Sequence, residues 1–132
     1  MAKILVAEDN VTTRDVISRM VEEMGHTVIG SPDGRHAWTT LETNPDIDLL
    51  ITDVVMPGLD GRDLVKKIRK TEELKKLPVI IISSKVGPKA IAELLEEGAT
   101  LFLPKPFKPE DVHEYIRRCI DESHTKINTS NL

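Results

Sequence analysis

Five short apolar runs punctuate the chain, and each ends on polar or turn-forming residues. Lys3-Ile4-Leu5-Val6-Ala7 stops at Glu8-Asp9, and Leu49-Leu50-Ile51-Thr52 stops at Asp53, ahead of Val54-Val55-Met56-Pro57-Gly58. Val79-Ile80-Ile81-Ile82 ends on Ser83-Ser84, and Thr100-Leu101-Phe102-Leu103-Pro104 delivers Lys105-Pro106. Thr27-Val28-Ile29-Gly30 is the weakest of the set. Runs this short, bounded by breakers, suit strands buried on both faces of a parallel sheet.

The stretches between them read at helical spacing. From Asn10, with Asn10 and Thr12 as candidate caps, Ile17, Met20, Val21 and Met24 recur until Gly25. Asp33-Gly34 opens a second helix carrying Ala37, Trp38 and Leu41, and a third places Leu64, Val65 and Ile68 on one face. Pro88 suits the first turn of a fourth, with Ile91, Leu94 and Leu95 inward and Gly98 as its stop. The last starts near Pro109 and buries Val112, Tyr115, Ile116, Cys119 and Ile120. Beyond Asp121 the pattern is polar and aperiodic. The expected organisation is one domain over 1–123 and a polar tail, or the start of a linker, over 124–132.

Strands alternating with helices in this way predict an α/β fold, a doubly wound five-stranded parallel sheet of flavodoxin-like (βα)5 type. Right-handed crossovers leave few topologies, and strand order 2-1-3-4-5 is the expected one. It sets the first and third strands side by side, so that Glu8, Asp9 and Asp53 meet at one rim.

Composition narrows the function classes. The chain has 132 residues, a net charge of −4 and no Lys/Arg cluster interleaved with aromatics along the sequence, which argues against direct nucleic-acid binding. The single Cys119 rules out an internal disulfide and suits a reducing, cytoplasmic compartment. No apolar run is long enough for a membrane span, so no membrane partner is expected. His26, His36, His113 and His124 share no ligand spacing with one another or with Cys119, which excludes a zinc site. Trp38 is expected in the core, His36 and His113 on helix surfaces, His26 in a turn, and Lys66-Lys67 with Arg69-Lys70 on a solvated helix face.

Each strand-end residue is ordinary on its own: an Asp after a strand caps the next turn, and most lysines are solvated. Together, three carboxylates, one hydroxyl and one ammonium fall at the ends of four strands. Like charges about 4 Å apart repel by roughly 4 kcal/mol at an effective dielectric of about 20. Glu8, Asp9 and Asp53 against Lys105 leave a local charge of about −2, which must take up a proton or hold a divalent cation. Oxygen donors without His or Cys point to Mg²⁺. A carboxylate beside such an ion can attack phosphorus in line, with Ser83 placed to hydrogen-bond a phosphoryl oxygen, giving an aspartyl phosphate on Asp53.

These motifs resemble those of a known family. Ala7-Glu8-Asp9, Thr52-Asp53 with Met56-Pro57 and Asp60-Gly61, Ser83-Ser84 and Lys105-Pro106-Phe107 together resemble the CheY-like receiver domain of two-component response regulators. The resemblance runs from Lys3 to about Ser123. It implies that Asp53 is the phosphoacceptor for a phosphohistidine on a histidine kinase or phosphotransfer protein. It implies further that Asp9 ligates Mg²⁺ directly, that Glu8 reaches the ion through water, and that the Val55 carbonyl is another ligand. Ser83 and Lys105 then answer the phosphoryl group, Phe102 stands at the switch-aromatic position, and Lys105-Pro106 matches a peptide bond usually cis. The implied output is a changed face of helix four, strand five and helix five, read by a downstream effector domain or protein and open to dimerisation.

The sequence also departs from the family. Glu8 stands where an Asp is frequent, and Phe102 lacks the hydroxyl of a Tyr. Val55 and Lys85 stand at places that in the family flank the route of hydrolytic water, and an apolar Val55 cannot orient that water, so slow self-dephosphorylation is expected. Two other readings compete: an aspartate-nucleophile phosphohydrolase and a pseudo-receiver serving as an interaction surface. The first places its acids two apart on the first strand, a pattern missing here, and needs a cap insertion. The second conflicts with the presence of Asp9, Asp53, Ser83 and Lys105 together. A switch rather than an enzyme acting on other substrates is the expected class; the cognate kinase and the output are not legible.

Overall fold

The computed structural model describes residues 1–84 and 86–130, with side chains described as far as Ile120. Five strands and five helices alternate: β1 (Lys3–Ala7), α1 (Val11–Glu23), β2 (Thr27–Ser31), α2 (Gly34–Thr43), β3 (Leu49–Asp53), α3 (Gly61–Lys70), β4 (Val79–Ser83), α4 (Pro88–Glu96), β5 (Leu101–Pro104) and α5 (Pro109–Ser130). The strands pair in parallel in the order β2-β1-β3-β4-β5, the expected doubly wound arrangement.

Side chains alternate across a strand, and here both sets are buried. Leu5, Ala7, Leu50, Val79 and Ile81 join one core with Ala37 and Leu41 of α2, Leu64, Val65 and Ile68 of α3, and Leu94 of α4. Ile4, Val6, Leu49, Ile51, Ile80, Ile82 and Leu103 join the other with Ile17 and Val21 of α1 and with Val112, Ile116, Cys119 and Ile120 of α5. The near-continuous apolar runs follow from this: a strand between two helical layers has no solvent face to make polar.

Capping follows the sequence signals. Asn10, Asp33 and Asp60 accept backbone N–H bonds from Thr13, His36 and Asp63 and so start α1, α2 and α3. Several expectations need correction. Leu95 is 41% exposed, because with Leu94 facing the sheet the next residue turns outward. Trp38 is half-buried at the margin of the first core, beneath the Lys67 ammonium, so the basic run on α3 is not simply solvated. Arg69 of the same run gives Nε and Nη2 to the Gly98 carbonyl at 2.9 and 2.7 Å. His26 does follow the turn at Met24–Gly25, and its Nδ1 also accepts the Ala2 amide (3.0 Å). His113, read as a helix-surface residue, is half-buried, and the His124 side chain lies outside the described residues. The α5 backbone stays helical to Ser130, past the point where the apolar stripe ends. Among the described residues no helix is long and apolar enough to cross a membrane.

Two glycines let helix starts abut the segment that leaves β3. A Cβ on Gly34 would sit 1.7 Å from the Leu59 carbonyl oxygen, and one on Gly61 would sit 2.3 Å from that of Asp53. Overpacking against backbone costs about 1–3 kcal/mol, occasionally more. Gly34→Ala is therefore expected to lose about 3 kcal/mol of stability, seen as a reduced urea midpoint. Gly87→Ala, with nothing within 4 Å of the added carbon, should stay within about 1 kcal/mol of the wild type.

Candidate functional site

Parallel strands point their carboxyl ends the same way, so the residues that close them share a rim. The adjacency of β1 and β3 sets Glu8 and Asp9 beside Asp53, and β4 and β5 bring Ser83 and Lys105. One carboxylate oxygen from each of Glu8, Asp9 and Asp53 lies within 4.8 Å of the others. A cavity of about 290 Å³ is lined by Glu8, Asp9, Asp53, Val55, Ser83 and Lys105, so every strand-end residue singled out in the sequence opens into it. Phe102 does not line the cavity; it is half-buried against the core beneath α2, α3 and α4.

Each acid is held differently. Glu8 is 1% exposed and pinned through its main chain: its amide donates to the Ser31 carbonyl at 3.0 Å, and its carbonyl accepts Arg14 Nη1 at 2.7 Å. Its Oε2 accepts the Asn10 amide (3.2 Å) and its Oε1 the Lys105 ammonium (2.8 Å). Asp53, also buried, accepts the Val54 and Val55 amides at Oδ1 (2.7 and 3.3 Å) and Lys105 Nζ at Oδ2 (2.9 Å). Asp9 is exposed at the mouth. Ser83 is buried, and its carbonyl takes the Lys105 amide at 3.0 Å, which sets where the lysine leaves β5. Lys105-Pro106 is cis, as the family resemblance implied.

The electrostatics reflect crowding. Burial pushes the Glu8 carboxyl above its ordinary 4.5, helped by Asp9 and Asp53 and opposed by the bonds from Lys105 and Asn10. Burial pulls Lys105 down, but its bonds to Glu8 and Asp53 outweigh that and leave it raised, so the ammonium is charged at neutral pH. The donor set is oxygen throughout, which fits a hard divalent cation and not a thiophilic metal.

The sequence reading missed parts of this site. Asn10 and Thr13 also line the cavity, beside Ser84 of the Ser83-Ser84 pair, and the Thr52 hydroxyl donates to the Asp53 carbonyl (2.9 Å). Asn10 was legible only as a cap, a role it fills. Arg14 carried no signal, since its contact with Glu8 depends on where α1 lies. Lys85 lies outside the described residues.

A flavodoxin-like sheet with an acid cluster and one ammonium at its carboxyl rim defines the class of receiver-type signalling domains. The family model for the response regulator receiver domain matches residues 4–117, and the chain belongs to that family. It is 37% identical over 117 residues to the two-component response regulator ORR3 of Oryza sativa subsp. japonica, with 89% of each chain covered. It is 35% identical over 113 residues to the chemotaxis protein CheY1 of Helicobacter pylori, covering 85% of this chain and 91% of that one. Among solved structures, Vibrio cholerae CheY4 superposes with a TM-score of 0.84 at 31% identity, over 91% of this chain and 99% of that one.

Glu8 gives the site a pH signature. Its folded pKa is raised, so the folded chain keeps a proton that the unfolded chain has lost. That contribution is full below the ordinary carboxylate range and disappears as pH rises through the folded value. In metal-free buffer, Glu8→Gln should gain on the wild type in urea midpoint between acidic and neutral pH. A constant difference across that range would contradict the assignment.

Proposed function

We propose that this chain is a phosphorylation-driven switch in which Asp53 accepts a phosphoryl group from the phosphohistidine of a histidine kinase or phosphotransfer protein. The observation that carries this is the Lys105 ammonium bridging Glu8 Oε1 and Asp53 Oδ2 at 2.8 and 2.9 Å, in a cavity that Ser83 and Asp9 also line. Asp53 Oδ forms its bond to phosphorus as the partner's nitrogen–phosphorus bond breaks, and the leaving imidazole keeps that electron pair. Glu8, Asp9 and Asp53 would hold Mg²⁺ with the Val55 carbonyl, the first through water. The ion supplies charge neutralisation for the transferring oxygens.

The chain's own groups do the rest. The Val54 and Val55 amides on Oδ1 fix the carboxylate plane of Asp53. Lys105 holds its proton and follows the added negative charge, releasing Glu8 as it does so. The Ser83 hydroxyl donates to a phosphoryl oxygen, and the movement lets Phe102 turn further inward, which alters the α4–β5–α5 face offered to an effector. The proposal describes stoichiometric labelling and loss, not turnover of other phosphate esters.

Incubated with acetyl phosphate and Mg²⁺, the protein should gain the mass of one phosphoryl group by intact mass spectrometry. Asp53→Ala should abolish the gain, chelation should prevent it, and Lys105→Ala should leave labelling but weaken the structural response. An unchanged wild-type mass, or a label that survives Asp53→Ala, would overturn the reading.

Val55 sets the lifetime. Its side chain is 60% exposed at the cavity, and an isopropyl group cannot orient a water. The aspartyl phosphate is expected to decay slowly, and Val55→Asn should speed its loss by about tenfold or more. Rapid decay unaltered by Val55→Asn would refute this.

A further inference from the structure

A second concave site lies on the helical layer of α2 and α3. A groove of about 380 Å³ between α2, α3 and the loop after β3 brings together Arg35, Trp38, Thr39, Gly58, Leu59 and Lys67. The Lys67 ammonium stands 5.1 Å from the Trp38 ring centroid, and the Arg35 side chain reaches across beside Gly58. Among the described residues neither Arg35 nor Lys67 forms an ion pair. The contrast within α3 is direct: Arg62 and Lys66 are matched by Glu93 of α4 and by Glu97, which caps its end. On a chain of net charge −4, the groove thus presents two cations that form no ion pair among the described residues, beside the only tryptophan.

Its composition is that of a recognition surface. Trp and Arg are the side chains that most often anchor protein interfaces, because each combines apolar area with a polar or charged edge. A half-buried indole covered by one flexible lysine is available to a partner at little cost. Two uncompensated cations are too few for a nucleic-acid backbone, whose affinity comes from many neutralised phosphates. They match one or two carboxylates, and the groove has room for one or two side chains.

We propose that this groove docks an acidic segment of a partner protein, a carboxylate entering between Arg35 and Lys67 and an adjacent apolar side chain resting on Trp38 and Leu59. Its floor is the loop that leaves Asp53, held against α2 and α3 by the close approaches at Gly34 and Gly61. The surface is separate from the α4–β5–α5 face and uses no phosphoryl group.

The test uses the full chain and a fluorescein-labelled synthetic peptide of Glu, Asp and Leu, followed by anisotropy and by Trp38 emission. Both signals should saturate together. Arg35→Glu and Lys67→Glu should each weaken binding by about tenfold or more, while circular dichroism confirms that the variants are folded. Lys76→Glu, away from the groove, should leave the isotherm in place, and binding should be the same with and without acetyl phosphate and Mg²⁺, so the result stands apart from that of the phosphorylation assay. The proposal is overturned by failure to saturate below about 1 mM, by an equal loss with Lys76→Glu, by insensitivity to Arg35→Glu and Lys67→Glu, by a requirement for acetyl phosphate, or by a single-stranded oligonucleotide binding more tightly than the peptide.

Discussion

One ammonium holds the carboxyl rim of the sheet together. Lys105 reaches Glu8 and Asp53, which stand 97 and 52 residues from it in sequence, and it is the only cation in contact with either of these two buried carboxylates among the described residues. Breaking a buried pair by removing one partner typically costs about 3–5 kcal/mol, because the other charge is left without a counterion. The strand order makes the contact available. With β1 and β3 neighbours and the connections diverging from them to opposite sides, the rim opens into a cavity where three acids can face one lysine.

The proposed output face includes α4, whose start at the rim carries no side-chain cap. Leu94 is the fully buried residue of α4, and the Gly87 cap makes no side-chain bond at the helix start. The far end is tied down. Arg62 pairs with Glu93 and Glu97, and Arg69 gives two hydrogen bonds to the Gly98 carbonyl. Exposed ion pairs such as those of Arg62 contribute little singly, but Arg69 is half-buried and its bonds are shielded. Side-chain bonds from α3 thus hold α4 toward Gly98, and none caps its start at Gly87.

How much of this could be read beforehand depends on the kind of signal. The strands, their order and their terminal residues were legible because a doubly buried strand leaves a continuous apolar run and a parallel sheet collects its ends. The caps at Asn10 and Asp33 were legible because they act within a few residues. The side on which Leu95 falls was not, since two adjacent leucines at helical spacing do not say which one meets the sheet. Trp38 under Lys67 and Arg69 on Gly98 were hidden for another reason. Both are contacts between elements, and a local pattern shows only that those cations lie on one stretch of α3. Arg14 behind Glu8 belongs to the same class.

The site is built with its charges in conflict. An interior chosen for stability alone would not bury Glu8 next to Asp53 with a single lysine between them, and the raised Glu8 pKa records the cost in the metal-free chain. Such conflicts concentrate at working sites, where what destabilises the empty state is what favours the occupied one. A bound divalent cation cancels the excess of about −2 left by three acids and one ammonium. In the proposed switch a phosphoryl group would bring negative charge back, and Lys105 would be free to meet it only with Glu8 satisfied by something else. Metal binding and the response to phosphorylation would then be coupled through the occupancy of one Nζ atom, and the distance from Lys105 to Glu8 would distinguish the states.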